Sequence, residues 1–172
     1  MAVDKDTILN VLHPICGEVQ TIEHHGQLSI MISPDHILEV MEELKTNPST
    51  QFTFLVDITA IDWYRKKDRY EVVYFLQSLP LGGRVRVKVA LPERNPHVAS
   101  VCSLWEGANW FERETYDMYG IHFDGHPDLR RFYMPEDFAD PETNEPIYPL
   151  RKDFPLMGIP GSMPLPPMPE RL

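Results

Sequence analysis

Only two cysteines, Cys16 and Cys102, occur in the 172 residues, and they stand far apart, without the paired spacing of zinc or iron–sulfur ligands. Reduced, buried thiols are expected, and no cluster in this chain. Long apolar runs are missing as well: none approaches the roughly 18 residues of a membrane span. The opening MAVDKDTILN is too acidic and too polar for a signal peptide, so the expectation is a chain that stays in the cytoplasm. Positive charge is scarce, 16 Lys and Arg against 26 Asp and Glu, for a formal net charge of -10. That balance argues against a nucleic-acid binder held by counterion release, and against a basic patch adsorbed to anionic lipid. There is no G-x-S-x-G or Cys/His nucleophile setting, no G-x-G-x-x-G and no P-loop lysine, and LGGR reads as a hairpin turn. Hydrolysis and nucleotide binding lose support accordingly. Internal repeats are absent from the sequence.

What is present suits one domain with a proper core plus a tail. Hydrophobic residues make up 42% and charged ones 24%, ordinary for a globular protein. In DKDTILNVLHPICG, Ile8, Val11, Leu12 and Ile15 recur at helical spacing, with Asp4 or Asp6 to cap and Gly17 to stop the helix. EVQTIEHHGQLSIMI gives two strands around a turn at His24 to Gly26; Ser33-Pro34 then supplies a cap and a first helical residue for a second helix through Ile37, Leu38, Met41 and Leu44. Three apolar runs follow, FTFLVDITAID, YEVVYFLQSL and RVRVKVAL, read as strands of an antiparallel sheet. In the last, Val85, Val87, Val89 and Leu91 alternate with Arg84, Arg86 and Lys88, so one face is buried and the other basic. ERNPHVASVCSLWEG places Val98, Val101, Cys102 and Trp105 on one stripe of an expected third helix, and ANWFERETYDMYG reads as a fourth between Asn109 and Gly120. The expected fold is α+β, in the order α-ββ-α-βββ-α-α, over residues 1–133.

From 134 to 172 an extended, proline-rich arm is expected. Ten of the seventeen prolines lie from Pro135 onward, and Met157 to Leu172 suits neither a helix ladder nor a central strand. Phe138, Ile147, Tyr148, Leu150, Phe154, Leu156 and Met157 are interleaved with Arg151, Lys152 and Asp153. Chain with that much apolar surface must cover its own domain or another protein.

Three constellations invite chemistry. In GIHFDGHPDLRRF, His122, Asp124, His126 and Asp128 fall at every second position and offer nitrogen and carboxylate ligands suited to zinc or iron. Gly125 and Pro127 interrupt regular strand geometry, so the ordinary reading is favoured: His126 and Asp128 satisfy partners in a structured turn, while His122 and Asp124 are solvated. Glu114 and Asp117 are neighbours at i, i+3 and could form an acid/base pair, whereas Glu112 and Glu114 diverge by about 200° on a helix. The ordinary reading there is a charged helix face with Arg113 and Asp117 as a local pair. Finally, Arg130, Arg131, Arg151 and Lys152 sit among apolar and proline residues, where such cations require carboxylates. Glu112, Glu114, Asp117, Asp128 and Asp153 supply some, and acids on another polypeptide supply the rest.

The run ANWFERETYDMYGIHFDGHPDLRRF, followed by PLRKDFPL, resembles the signature of a subunit family of respiratory complex I, the proton-pumping NADH:quinone oxidoreductase. The family is that of the mitochondrial NADH dehydrogenase iron–sulfur protein 3. The resemblance extends upstream through DITAIDW, RVRVKVALPERNP and SVCSLWEGANW, over about residues 50 to 157. Glu112, Arg113, Glu114, Asp117, Gly120, Gly125, His126, Pro127, Asp128, Arg130 and Arg131 fill the fixed places of the family pattern, and Arg151, Lys152 and Asp153 those of its second block. His122 and Asp124 fall on free places, which takes half of the apparent metal set out of the signature. Ile147 and Tyr148 stand where the family often has glycine and histidine.

The resemblance implies a non-catalytic, cofactor-free member of the hydrophilic arm, with FMN, iron–sulfur clusters and quinone all held by partner subunits. Its charged signature and proline-rich arm would brace the neighbour that forms the quinone site, together with adjoining hydrophilic subunits. The expected place is peripheral, on the cytoplasmic side of the cell inner membrane. Two rivals share these features: the equivalent subunit of a complex I-like membrane-bound hydrogenase or other dehydrogenase, and a free-standing metal- or carboxylate-dependent hydrolase.

Overall fold

A computed structural model describes residues 3–65 and 67–154; the expectations for Leu156 and for Met157 to Leu172 lie outside the described residues. Helix α1, Lys5–Cys16, starts where the Asp4 carboxylate accepts from the Thr7 amide at 2.8 Å, and it ends at Gly17. Strands β1, Gln20–His24, and β2, Gln27–Ile32, form the expected hairpin. Ser33 makes no side-chain cap; a single 3-10 turn, Pro34–His36, leads instead into α2, Ile37–Thr46. Then come β3, Phe54–Asp62, β4, Tyr70–Gln77, and β5, Arg84–Leu91.

The five strands make one sheet in the order β1-β2-β5-β4-β3. The α+β class with a sheet packed by helices is what the chain adopts, but the sheet is mixed rather than antiparallel throughout, because β2 runs parallel to β5. α2, β3 and β4 intervene, a crossover of the length that parallel pairing requires. Alternation then decides burial: Leu28, Ile30 and Ile32 of β2 lie beside Val85, Val87 and Val89 of β5, and these beside Leu76, Tyr74 and Val72 of β4. All point to the face covered by Ile8 and Leu12 of α1 and by Ile37, Val40, Met41 and Leu44 of α2. Side chains of the other face are left to solvent or to each other.

Between β5 and the next helix the chain departs from expectation. Residues 93–107 form no helix. His97–Ala99 is a short strand, β6, which pairs in parallel with β7, His122–Asp124, and Leu104 and Trp105 then fold over the Val101 carbonyl in a single turn. The expected stripe is nonetheless inside, with Val98, Val101 and Trp105 buried. Burial at this spacing arises from a strand followed by a turn as readily as from a helix. Two donors that a helix would need are taken from outside: Ser100 Oγ donates to Glu112 at 2.6 Å, and the Val101 amide donates to the same carboxylate at 2.7 Å. The last helix, α3, Ala108–Tyr119, lies along the edge strand β3, where Thr115 Oγ1 donates to the Ile58 carbonyl.

Residues 134–154 are not extended. Asp140 accepts from the amides of Glu142 and Thr143 in a tight turn, Ala139 bridges Pro146, and Phe138 stacks on Phe154. This segment folds back onto α3 and onto the β3–β4 end of the sheet. Among the described residues no helix is long and apolar enough to cross a membrane.

Candidate functional site

Helix α3 carries the charged signature, and the charges point inward. Glu112, Arg113 and Asp117 are buried, against the expectation of a solvated face with an Arg113–Asp117 pair. Each is matched separately. The Asp117 Oδ2 atom accepts from three successive amides, Phe132, Tyr133 and Met134, at 2.8 to 3.2 Å, and Oδ1 lies 3.7 Å from Arg131 Nη1. A carboxylate in such a nest of amides fixes the loop it caps. Arg113 has no acid within ion-pair distance among the described residues. It donates instead to the carbonyls of Arg130 and Arg131, and its guanidinium lies over the rings of Trp110 and Phe132, 5.0 and 4.9 Å from their centroids. A carboxylate was therefore not needed: carbonyl dipoles and ring faces take its place.

Glu112 sits at the other end of this network. Burial pushes its pKa up, opposed by hydrogen bonds from Ser100, Val101 and Cys102. Burial likewise pushes the Cys102 thiol to about 11, so it rests as a protonated donor, 3.4 Å from Glu112. Both cysteines are free and half-buried. Cys102, Glu112 and His126 place ligand atoms within 4.8 Å of one another, a combination that sequence spacing could not bring together. Their hydrogen bonds oppose a metal there. The Asp128 amide donates to His126 Nδ1 at 3.0 Å, which fixes the proton on Nε2, and Nε2 is directed at the Asn109 carbonyl at 3.2 Å. Neither nitrogen keeps a lone pair aimed at the other two groups.

The row that looked like a metal set is dispersed. Asp124 pairs with His97 at 2.7 Å, His122 packs edge-on against Tyr116, and Asp128 pairs with Arg130 at 2.8 Å in the open. Gly125, φ 81°, turns the chain there, and Pro127 is exposed. Glu114 is half-buried on another side of the helix from Asp117, so no acid/base pair is assembled.

The C-terminal segment is latched at two points. Gly120, φ 72°, closes α3 in the left-handed conformation, and an added Cβ would lie 2.5 Å from both the Tyr148 ring and Arg151 Nη2. Arg151 donates to the Tyr119 carbonyl, the Leu150 amide to that of Met118, and the Tyr148 ring lies between the guanidinium groups of Arg151 and Arg131. Ile147 accepts from Arg131. The second latch was invisible in the sequence, where YRKKDR reads as a solvated turn. There Arg69 is buried, gripping Asp62 with two nitrogens at 3.0 and 2.8 Å and reaching Glu93 and Asp153. The Lys152 amide completes it by donating to Asp62 at 2.9 Å, while the Lys152 side chain is exposed. Burial raises the pKa of Asp62, but hydrogen bonds from Arg69, Lys152 and Tyr64 outweigh it and hold the group at about 2.

These elements define a class: a mixed-sheet α+β domain whose signature acids and arginines lock α3, the loop after it and the returning C-terminal segment into one body. The model of the respiratory-chain NADH dehydrogenase 30 kDa subunit matches residues 30–160. In Rhizobium meliloti, a C subunit of NADH-quinone oxidoreductase is 48% identical over 134 residues, 78% of this chain and 69% of that one. Its counterpart in the same oxidoreductase of Azorhizobium caulinodans is 47% identical over 158 residues, 90% and 70% of the two chains. A solved trypsin-resistant fragment (1–134) of Nqo5 superposes with a TM-score of 0.62 at 35% identity, covering 72% of this chain and 99% of the fragment. The chain belongs to the respiratory-chain NADH dehydrogenase 30 kDa family, whose members are subunits of the multi-subunit NADH-quinone oxidoreductase.

Proposed function

We propose that the chain is a non-catalytic, cofactor-free bracing subunit in the hydrophilic arm of a proton-translocating NADH:quinone oxidoreductase, peripheral on the cytoplasmic side of the cell inner membrane. Residues 1–133 supply the rigid domain, and the arm from 134 onward packs on the neighbour that forms the quinone site. The observation that carries this reading is the use made of the signature's charges. Glu112, Arg113, Asp117, Arg131 and Arg151 hold loops and chain segments to α3, whereas an active site keeps such groups facing a pocket for substrate.

Two features beside this lock suit a partner. Trp110, Phe132 and Tyr133 form a contiguous exposed aromatic cluster, with ring centroids 5.8 and 4.1 Å apart. Next to them a cleft of about 500 Å³ opens between Tyr116, Arg131, Phe138 and Pro146. Exposed aromatics with an adjacent arginine are the usual anchors of protein interfaces. FMN, iron–sulfur clusters and quinone belong, on this reading, to the partner subunits. Depleting the chain in cells and purifying the oxidoreductase from their membranes tests it. The quinone-site subunit is expected to separate from the rest of the arm; recovery of an otherwise complete complex would overturn the proposal.

A further inference from the structure

The lock around α3 does not involve the far side of the sheet. On that side the register brings Ile22, Ser29, Arg86, Phe75 and Asp57 into one row across the five strands. Flanking rows add Met31, Lys88 and Val73 on one side, and Arg84, Gln77 and Phe54 on the other. A sheet face meant for water alternates polar residues outward. Here Ile22, Phe54 and Val56 are 48%, 47% and 38% exposed, and Val56 is pushed out by a bulge between Leu55 and Asp57. Beside it lies a cavity of about 200 Å³ whose lining includes Val56, Phe75, Arg84 and Arg86. Roughly 150 Å³ is enough for a benzene ring, so one leucine or phenylalanine side chain fits.

The charge of this face opposes that of the molecule. Lys88 is spent on Glu71 at 2.7 Å. Among the described residues Arg84 and Arg86 have no acid within ion-pair distance; Arg84 donates only to Gln77, and Arg86 lies over the Phe75 ring. Two unmatched guanidiniums side by side, in a chain of net charge -10, call for carboxylates from elsewhere. Along β5 they stand about 7 Å apart, the repeat of alternate side chains in any extended strand.

We infer that this uncovered sheet face is a second docking surface, whose occupant is an extended segment of a partner polypeptide with acids at alternate positions and an apolar side chain that enters the cavity beside Val56 and Phe75. The inference rests on the reading of the chain as a subunit of the oxidoreductase, since the partner is another subunit of the same assembly. It concerns a surface separate from α3 and the arm.

The test uses the purified complex. Phe54→Cys is labelled with N-ethylmaleimide in the complex and in the isolated full chain, and labelling is read by peptide mapping. At least about tenfold slower labelling in the complex is expected if the face is buried there. A photoreactive phenylalanine analogue at Phe54 is expected to cross-link a segment with Asp or Glu at i and i+2 beside an apolar residue. Arg84→Glu with Arg86→Glu is expected to release the chain from the complex at physiological salt, while Arg84→Lys with Arg86→Lys retains it. Equal labelling rates in complex and free chain overturn this inference alone. Cross-links to a segment lacking acids, to lipid or to a second copy of the chain do the same. A chain that purifies with no oxidoreductase subunit overturns both this inference and the reading it rests on.

Discussion

Asp62 and Glu112 are both buried carboxylates, and their surroundings move them in opposite directions. Asp62 meets a guanidinium and two amides, which hold it at about 2 against an ordinary 3.8. Its contribution to stability is present above pH 4 or so and is lost as pH falls towards 2. At about 1.4 kcal/mol per unit this amounts to roughly 2 kcal/mol. Glu112 meets only neutral donors and is raised above its ordinary 4.5, so its stabilising effect is complete below that value and declines as pH rises through the folded-state value. Urea unfolding over a pH series separates them. Asp62→Asn is expected to flatten the acid side of the profile, and Glu112→Gln the decline above pH 4.5. Profiles unchanged by either substitution would contradict these assignments. Neither role could be read from sequence. Asp62 looked like the last residue of a strand, and the donors of Glu112, Ser100 and Val101, lay in a segment read as helix.

Among the elements, those built by local periodicity were legible, and those built by distant pairing were not. β4 and β5 follow from strict alternation, and α3 from its apolar stripe and Gly120. The parallel β2–β5 pair depends on residues more than fifty positions apart, and periodicity says nothing about which strands meet. The strand β6 was hidden because Val98, Val101 and Trp105 have helical spacing yet are buried by a strand and a turn. The signature residues were recognised, but as docking groups rather than as the internal lock they make. Gly120 shows how tightly that lock closes. Gly120→Ala strains a left-handed residue by about 1 kcal/mol and drives Cβ into Tyr148 and Arg151. Trypsin cleavage at Arg151 is expected to accelerate by about tenfold, since opening of this segment then costs less. Unchanged cleavage would mean that the segment is held by the Arg69 latch alone.

At the scale of the whole molecule, a chain of net charge -10 has drawn much of its positive charge inward or onto one sheet face. Arg69, Arg113, Arg131 and Arg151 are committed to internal partners; Arg84 and Arg86 wait on the far side of the sheet. Internal locking and external docking are linked: a rigid body presents its surfaces in one fixed arrangement, which a bracing subunit requires. Arg131 sits at the junction, touching Asp117, Ile147 and Tyr148. The most direct measurement introduces Arg131→Ala and determines, on the same membranes, the amount of assembled oxidoreductase and the NADH:quinone turnover per assembled complex. The amount assembled is expected to fall while turnover per complex stays at the wild-type value; a fully assembled complex that has lost turnover would contradict the account.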